Sequence, residues 1–120
     1  MSASKSGFHG SFAEGLGRIP TPEGKSFAVA FEHGSLKVGL FAPRSVDLQQ
    51  PHTQDEVYVV IQGEGRFRCG DTRCEFGPGD VLFVPSGVEH RFEEFSDDLA
   101  VWVVFYGPEG GERAVDEAGA

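Results

Sequence analysis

Residues 56–85 read EVYVVIQGEGRFRCGDTRCEFGPGDVLFVP, a series of short runs of β-formers broken by QGEG, GDT and GPGD. Val, Tyr, Ile and Phe fill the runs, and the breaks are built from residues that reverse a chain. Glycine accepts positive φ, proline presets φ, and aspartate bonds back to its own backbone. Strands this short at such regular spacing predict a sandwich or barrel. VYVVI is nearly continuous, as a strand covered on both faces would be, whereas RFRC alternates polar and apolar like a half-exposed strand. Two sheets enclosing a covered middle account for both patterns.

The same texture extends outward. SFAVAFE (26–32) and SLKVGLFA (35–42) are split by a hairpin signal at His33-Gly34, and HRFEEF (90–95) and LAVWVVFY (99–106) complete the series. Nothing between residues 27 and 106 keeps a 3.6-residue period over helical length. The chain therefore divides into an N-terminal arm (1–26), one all-β domain (27–106) and a C-terminal tail (107–120). The arm is rich in Ser, Gly and Pro and is expected to dock through Phe8, Phe12 and Leu16. The tail, GPEGGERAVDEAGA, loses apolar content and is expected to be mobile, with at most a short helix.

A chain of 120 residues suits one domain with a real core, and eleven phenylalanines supply large apolar area without disulfides. Nineteen acidic against ten basic side chains give a net charge of −9. That balance speaks against nucleic acid, whose non-specific binding needs a basic stripe, and against an anionic membrane. The start of the chain has no apolar stretch of a secretory signal, so the expected location is cytoplasmic. There Cys69 and Cys74, which RCGDTRC could bring face to face across a hairpin, are expected to be free thiols.

Chemistry gathers in two stretches. Gln50, His52, Gln54 and Glu56 follow at steps of two, but on a straight strand His52 and Glu56 would lie ~13 Å apart. That is too far for one ion, so the stretch is either a polar strand entrance or, with a bend after Pro51, one side of a metal site. In the second stretch, GPGDVLFVPSGVEHRFEE (77–94), His90, Phe92 and Glu94 share one face. His90 could meet His52 across the sheet. His52, Glu56 and His90 would then be a two-histidine, one-carboxylate set, which suits Fe(II) and also Mn, Ni or Zn. Tyr58 shares parity with Glu56 and is either pocket-facing or a core tyrosine. Glu94 is a candidate acid or base, or else a solvated strand end. Arg44 is a candidate anion anchor, or simply exposed. Phe92 and Trp102 read as core, and His9 and His33 carry no assignment.

Residues 50–63, QPHTQDEVYVVIQG, resemble the first cupin motif, with His52, Glu56 and Gly63 at the motif's intervals. Gln50 stands in the place of its first histidine and Arg44 in that of its leading glycine. Residues 79–94 resemble the second motif through Gly79, Pro85, Gly87 and His90, with Glu94 replacing its final asparagine. The resemblance to small single-domain cupins implies a jelly-roll barrel, the cupin double-stranded β-helix, around a divalent transition metal (Fe, Mn, Ni or Zn). The implied ligands are His52, Glu56, His90 and, more weakly, Gln50. It further implies a small-molecule substrate or ligand, handled by one of three functions: an Fe(II)-dependent oxygenase, a metal-assisted isomerase or lyase using Tyr58 or Glu94 to move a proton, or a non-catalytic binding module. Small cupins often pair, and the expected assembly is a homodimer.

Overall fold

The computed structural model describes residues 7–45, 47 and 49–113. A short helix, α1 (Phe12–Gly17), precedes eight strands: β1 (Phe27–His33), β2 (Leu36–Phe41), β3 (Asp55–Gln62), β4 (Gly65–Cys69), β5 (Thr72–Phe76), β6 (Val81–Val84), β7 (His90–Glu93) and β8 (Ala100–Tyr106). They form two antiparallel sheets, ordered β1-β2-β8-β3-β6 and β5-β4-β7, as a jelly roll requires.

Turn chemistry sets the hairpins. Gly34 and Gly70 both adopt positive φ, 59° and 58°, where a side chain would be strained. The first joins β1 to β2 with His33 opposite Leu36, and the second joins β4 to β5 with Cys69 opposite Thr72. That register places Cys74 opposite Phe67, so the two cysteines do not face each other as the sequence suggested. Both are free thiols, Cys69 half-buried and Cys74 exposed.

Between the sheets lies an aromatic core. Tyr58 and Phe76 each meet Phe92 edge-on, with ring centroids at 5.0 and 5.3 Å. Val60, Phe67, Leu99, Val101 and Val103 complete the layer. Each such side chain contributes about 1.5–3 kcal/mol on burial. Parity runs as expected: Glu56, Tyr58 and Val60 of β3 point inward, while Val57 and Val59 point out. The outer face of the larger sheet stays apolar, with Val38, Val57, Val59, Trp102 and Val104 half-buried and Val81 and Phe83 65% and 50% exposed.

The N-terminal arm follows expectation in part and the C-terminal end does not. The N-terminal arm docks through Phe8, whose ring stacks on Phe31 at 4.9 Å. It also forms α1, capped by Ser11, whose Oγ accepts from the Glu14 N–H at 3.1 Å. Residues 107–113, expected as part of a mobile tail, are instead tied to the barrel. Gly110 N–H donates to the Thr53 carbonyl at 2.7 Å, and Glu112 N–H to Asp55 Oδ2 at 2.7 Å. The low apolar content of this segment hid the anchor, because backbone donors do the binding. The rest of the proposed tail lies outside the described residues.

Candidate metal centre

Glu56 is the second residue of β3 and faces inward between β6 and β8, opposite Val84 and Phe105. His52 lies before the strand, on the far side of a bend at Thr53-Gln54. The bend is held from outside. Gly87 N–H donates to the His52 carbonyl at 2.7 Å, and Ser86 donates its hydroxyl to the Thr53 carbonyl at 2.6 Å and its N–H to Asp55 Oδ1 at 2.9 Å. Gly87 can do this because its φ is 76°, and it belongs to the Pro-Ser-Gly turn that also leads to His90. One turn therefore positions two candidate ligands.

His90 opens β7 in the smaller sheet. It meets His52 across the barrel interior rather than along one sheet, with ring centroids 5.5 Å apart. Its Nδ1 lies 2.9 Å from the Val88 carbonyl. A proton on Nδ1 donates there and leaves the Nε2 lone pair aimed at Glu56, the tautomer a metal ligand needs.

The three side chains converge, with one donor atom from each lying within 4.8 Å of the others. Glu56 Oε1 is 3.3 Å from His90 Nε2 and 3.9 Å from His52 Nε2. Neither contact has hydrogen-bond geometry. Both Glu56 oxygens and both Nε2 atoms are buried without a partner. Buried polar atoms are ordinarily satisfied, and a cation among the three side chains is one arrangement that would satisfy these four.

The two histidines differ in charge preference. Burial lowers the pKa of His52, aided by the positive charges of His90 and Lys37, and the pull of Glu56 does not restore it. Burial also acts downward on His90, but the Glu56 carboxylate and the Val88 carbonyl outweigh it and the net shift is upward.

The other candidates lie elsewhere. Gln50 is exposed, and its neighbour Gln49 lines the cavity in its place. Gln49 is itself engaged: its amide donates to Asp47 Oδ2 at 2.7 Å and its Oε1 accepts from the Tyr58 hydroxyl at 2.7 Å. The chain entering the bend turns Gln49 rather than Gln50 inward, which parity on a regular strand could not reveal. Tyr58 is fully buried in the core layer, and burial followed by the charge of Glu56 pushes its hydroxyl well above the usual tyrosine range. Glu94 leaves the inward face because β7 ends at Glu93 and Glu94 takes φ 49°. It is exposed and pairs with Arg66 at 3.5 Å. Arg44 gives its Nη1 to the carbonyls of Ala42 and Pro43, at 3.0 and 3.1 Å, and lines no part of the cavity.

Beside the cluster opens a cavity of about 350 Å³. Its walls include Phe27, Phe41, Val103 and Phe105, with Gln49 and Lys37 as polar members. Lys37 was absent from the sequence-level candidates, although its parity with Phe41 on β2 was a readable sign that it points inward.

A family model described as a cupin domain matches residues 38–106. An uncharacterized protein of Streptomyces coelicolor is 43% identical over 77 residues, covering 62% of this chain and 73% of that protein. The acireductone dioxygenase of Yarrowia lipolytica is 37% identical over 46 residues, covering 34% of this chain and only 27% of the dioxygenase. Among solved structures, a putative mannose-6-phosphate isomerase from Ralstonia eutropha superposes with a TM-score of 0.61 at 26% identity, covering 85% of this chain and 100% of that one.

Proposed function

The chain belongs to the cupin domain family, and from that footing we propose that it binds one divalent transition metal through His52, Glu56 and His90 and acts on a small molecule held in the adjoining cavity. The observation that carries this reading is the set of four buried, unpartnered donor atoms on those three residues. A cation would satisfy all four at once.

Within that reading we favour an Fe(II)-dependent oxygenase. Two histidines and one carboxylate leave open coordination positions, and the bound ion would supply the site for O₂ and substrate to meet. The protein's own part is to hold the substrate against that face and to exclude water with Phe41 and Phe105. The isomerase or lyase reading asks in addition for a protein group that moves a proton. Tyr58 is buried behind Gln49 and Glu94 is on the outside, so neither candidate supports it. The likeness to the putative isomerase speaks for that second reading, as the full coverage of that chain does.

Elemental analysis of protein purified without a histidine tag tests the proposal. Stoichiometric iron, lost in His52→Ala and His90→Ala, together with O₂ consumption, is the expected result. Stoichiometric Zn or Mn would transfer the proposal to metal-assisted isomerisation or elimination. Absence of any metal after reconstitution would leave a non-catalytic binding module. We also propose a cytoplasmic homodimer, paired through the uncharged outer face of the larger sheet, in keeping with the two free thiols.

A further inference from the structure

Lys37 is the one side chain of fixed positive charge among the residues lining the cavity. It lies on β2, opposite Phe105 of β8, and the Phe105 ring meets the His52 ring edge-on at 4.8 Å. The lysine thus stands one aromatic ring away from the metal cluster. It is half-buried, and no carboxylate among the described residues lies within ion-pairing distance of it, although Glu32 is its register neighbour on β1. A chain with net charge −9 has many acids available to pair a lysine, yet this inward one is left open. Phe27, Phe41 and Val103 supply the apolar wall around it.

We propose that Lys37 is the anchor for a carboxylate, and that the ligand of this site is a small organic acid with an apolar body. The acid group pairs with Lys37, the apolar body lies on Phe41 and Phe105, and a carbonyl oxygen next to the acid group faces the cluster. A metal ion there balances Glu56 and leaves the cavity with net positive charge, which an anion neutralises. A neutral sugar-like molecule would leave Lys37 unpaired against apolar walls. The inference rests on the metal reading for the second contact, but the lysine contact stands without it.

Calorimetric titration of the metal-loaded protein with phenylpyruvate, pyruvate and methyl phenylpyruvate tests this, with metal affinity measured separately on the same variants. The expected pattern is that phenylpyruvate binds best. Lys37→Gln should weaken both acids by at least about tenfold and leave the ester unchanged. Lys37→Arg should retain most of the affinity, and metal affinity should stay unreduced in both variants. Equal binding of the acid by wild type and Lys37→Gln overturns the proposal, as does wild-type protein that binds neither acid. If the protein takes up no metal, the same titrations on the metal-free chain still read the lysine contact. An acid-specific loss in Lys37→Gln there supports Lys37 while the metal reading fails.

Discussion

At the scale of single residues the site is decided by which atoms lack partners. Glu56 is 1% exposed with neither oxygen bonded. Glu56→Gln is therefore expected to lower metal affinity by at least about a hundredfold, and to lower the metal-free melting temperature at acid pH, where protonated His90 loses its carboxylate partner. Isothermal calorimetry and thermal unfolding with and without metal check the two halves separately. The histidines make a second prediction. His90 keeps its proton to higher pH than an ordinary histidine, and His52 gives its proton up earlier. A metal needs both Nε2 lone pairs, so the proton that binding displaces comes first from His90. Affinity should rise with pH until it passes the raised pKa of His90 and then level off. Titration in buffers of different ionisation enthalpy follows the displaced proton across pH, and an affinity that stays flat as pH rises from acid to neutral would refute the assignment. Gln50 carries the opposite expectation. Since it is exposed, Gln50→His should leave metal affinity unchanged, measured by competition with a chromogenic chelator.

Among the elements, the Pro-Ser-Gly turn before β7 matters more than its length suggests. It delivers His90 to one side of the barrel and, through Gly87 and Ser86, grips the bend that delivers His52 and Asp55 to the other. Gly87→Ala forces a side chain into positive φ and is expected to cost about 1–2 kcal/mol of stability, with a parallel loss of metal affinity because relief of that strain turns the residue-87 N–H away from the His52 carbonyl. Chemical denaturation and metal titration of the same variant report the two effects. Asp55, 5% exposed, joins this turn to the C-terminal segment by accepting from Ser86 and Glu112. The strand pattern around these loops was readable from alternation and turn residues alone. The grip between loops was not, because most of its donors are backbone N–H groups, which carry no signature in residue type.

For the whole molecule, the proposed homodimer would pair through the outer face of the five-stranded sheet. Rows such as Val38, Val104, Val57 and Phe83 run across adjacent strands with no charge among them. A homodimer buries such a face, and sedimentation velocity should return twice the chain mass. Phe83→Glu places a charge on the face and should give a monomer that keeps its fold and its metal. A wild-type monomer would overturn the pairing.

The fold was legible in the sequence because short alternating runs and glycine turns act locally, each strand carrying its own inward and outward faces. His52, Glu56 and His90 were legible for a related reason: their types and intervals match a known motif, and a bend after Pro51 was the only geometry that let two of them share an ion. What the tertiary structure alone decided lies where chain segments distant in sequence meet. It turned Gln49 inward in place of Gln50, carried Glu94 to the outer surface, closed Tyr58 behind Gln49, and set Lys37 beside His52 through Phe105. Parity predicts direction only on a regular strand. These residues sit at a bend, at a strand end, behind a second residue, or on a neighbouring strand, where packing between the two sheets chooses which way a side chain points.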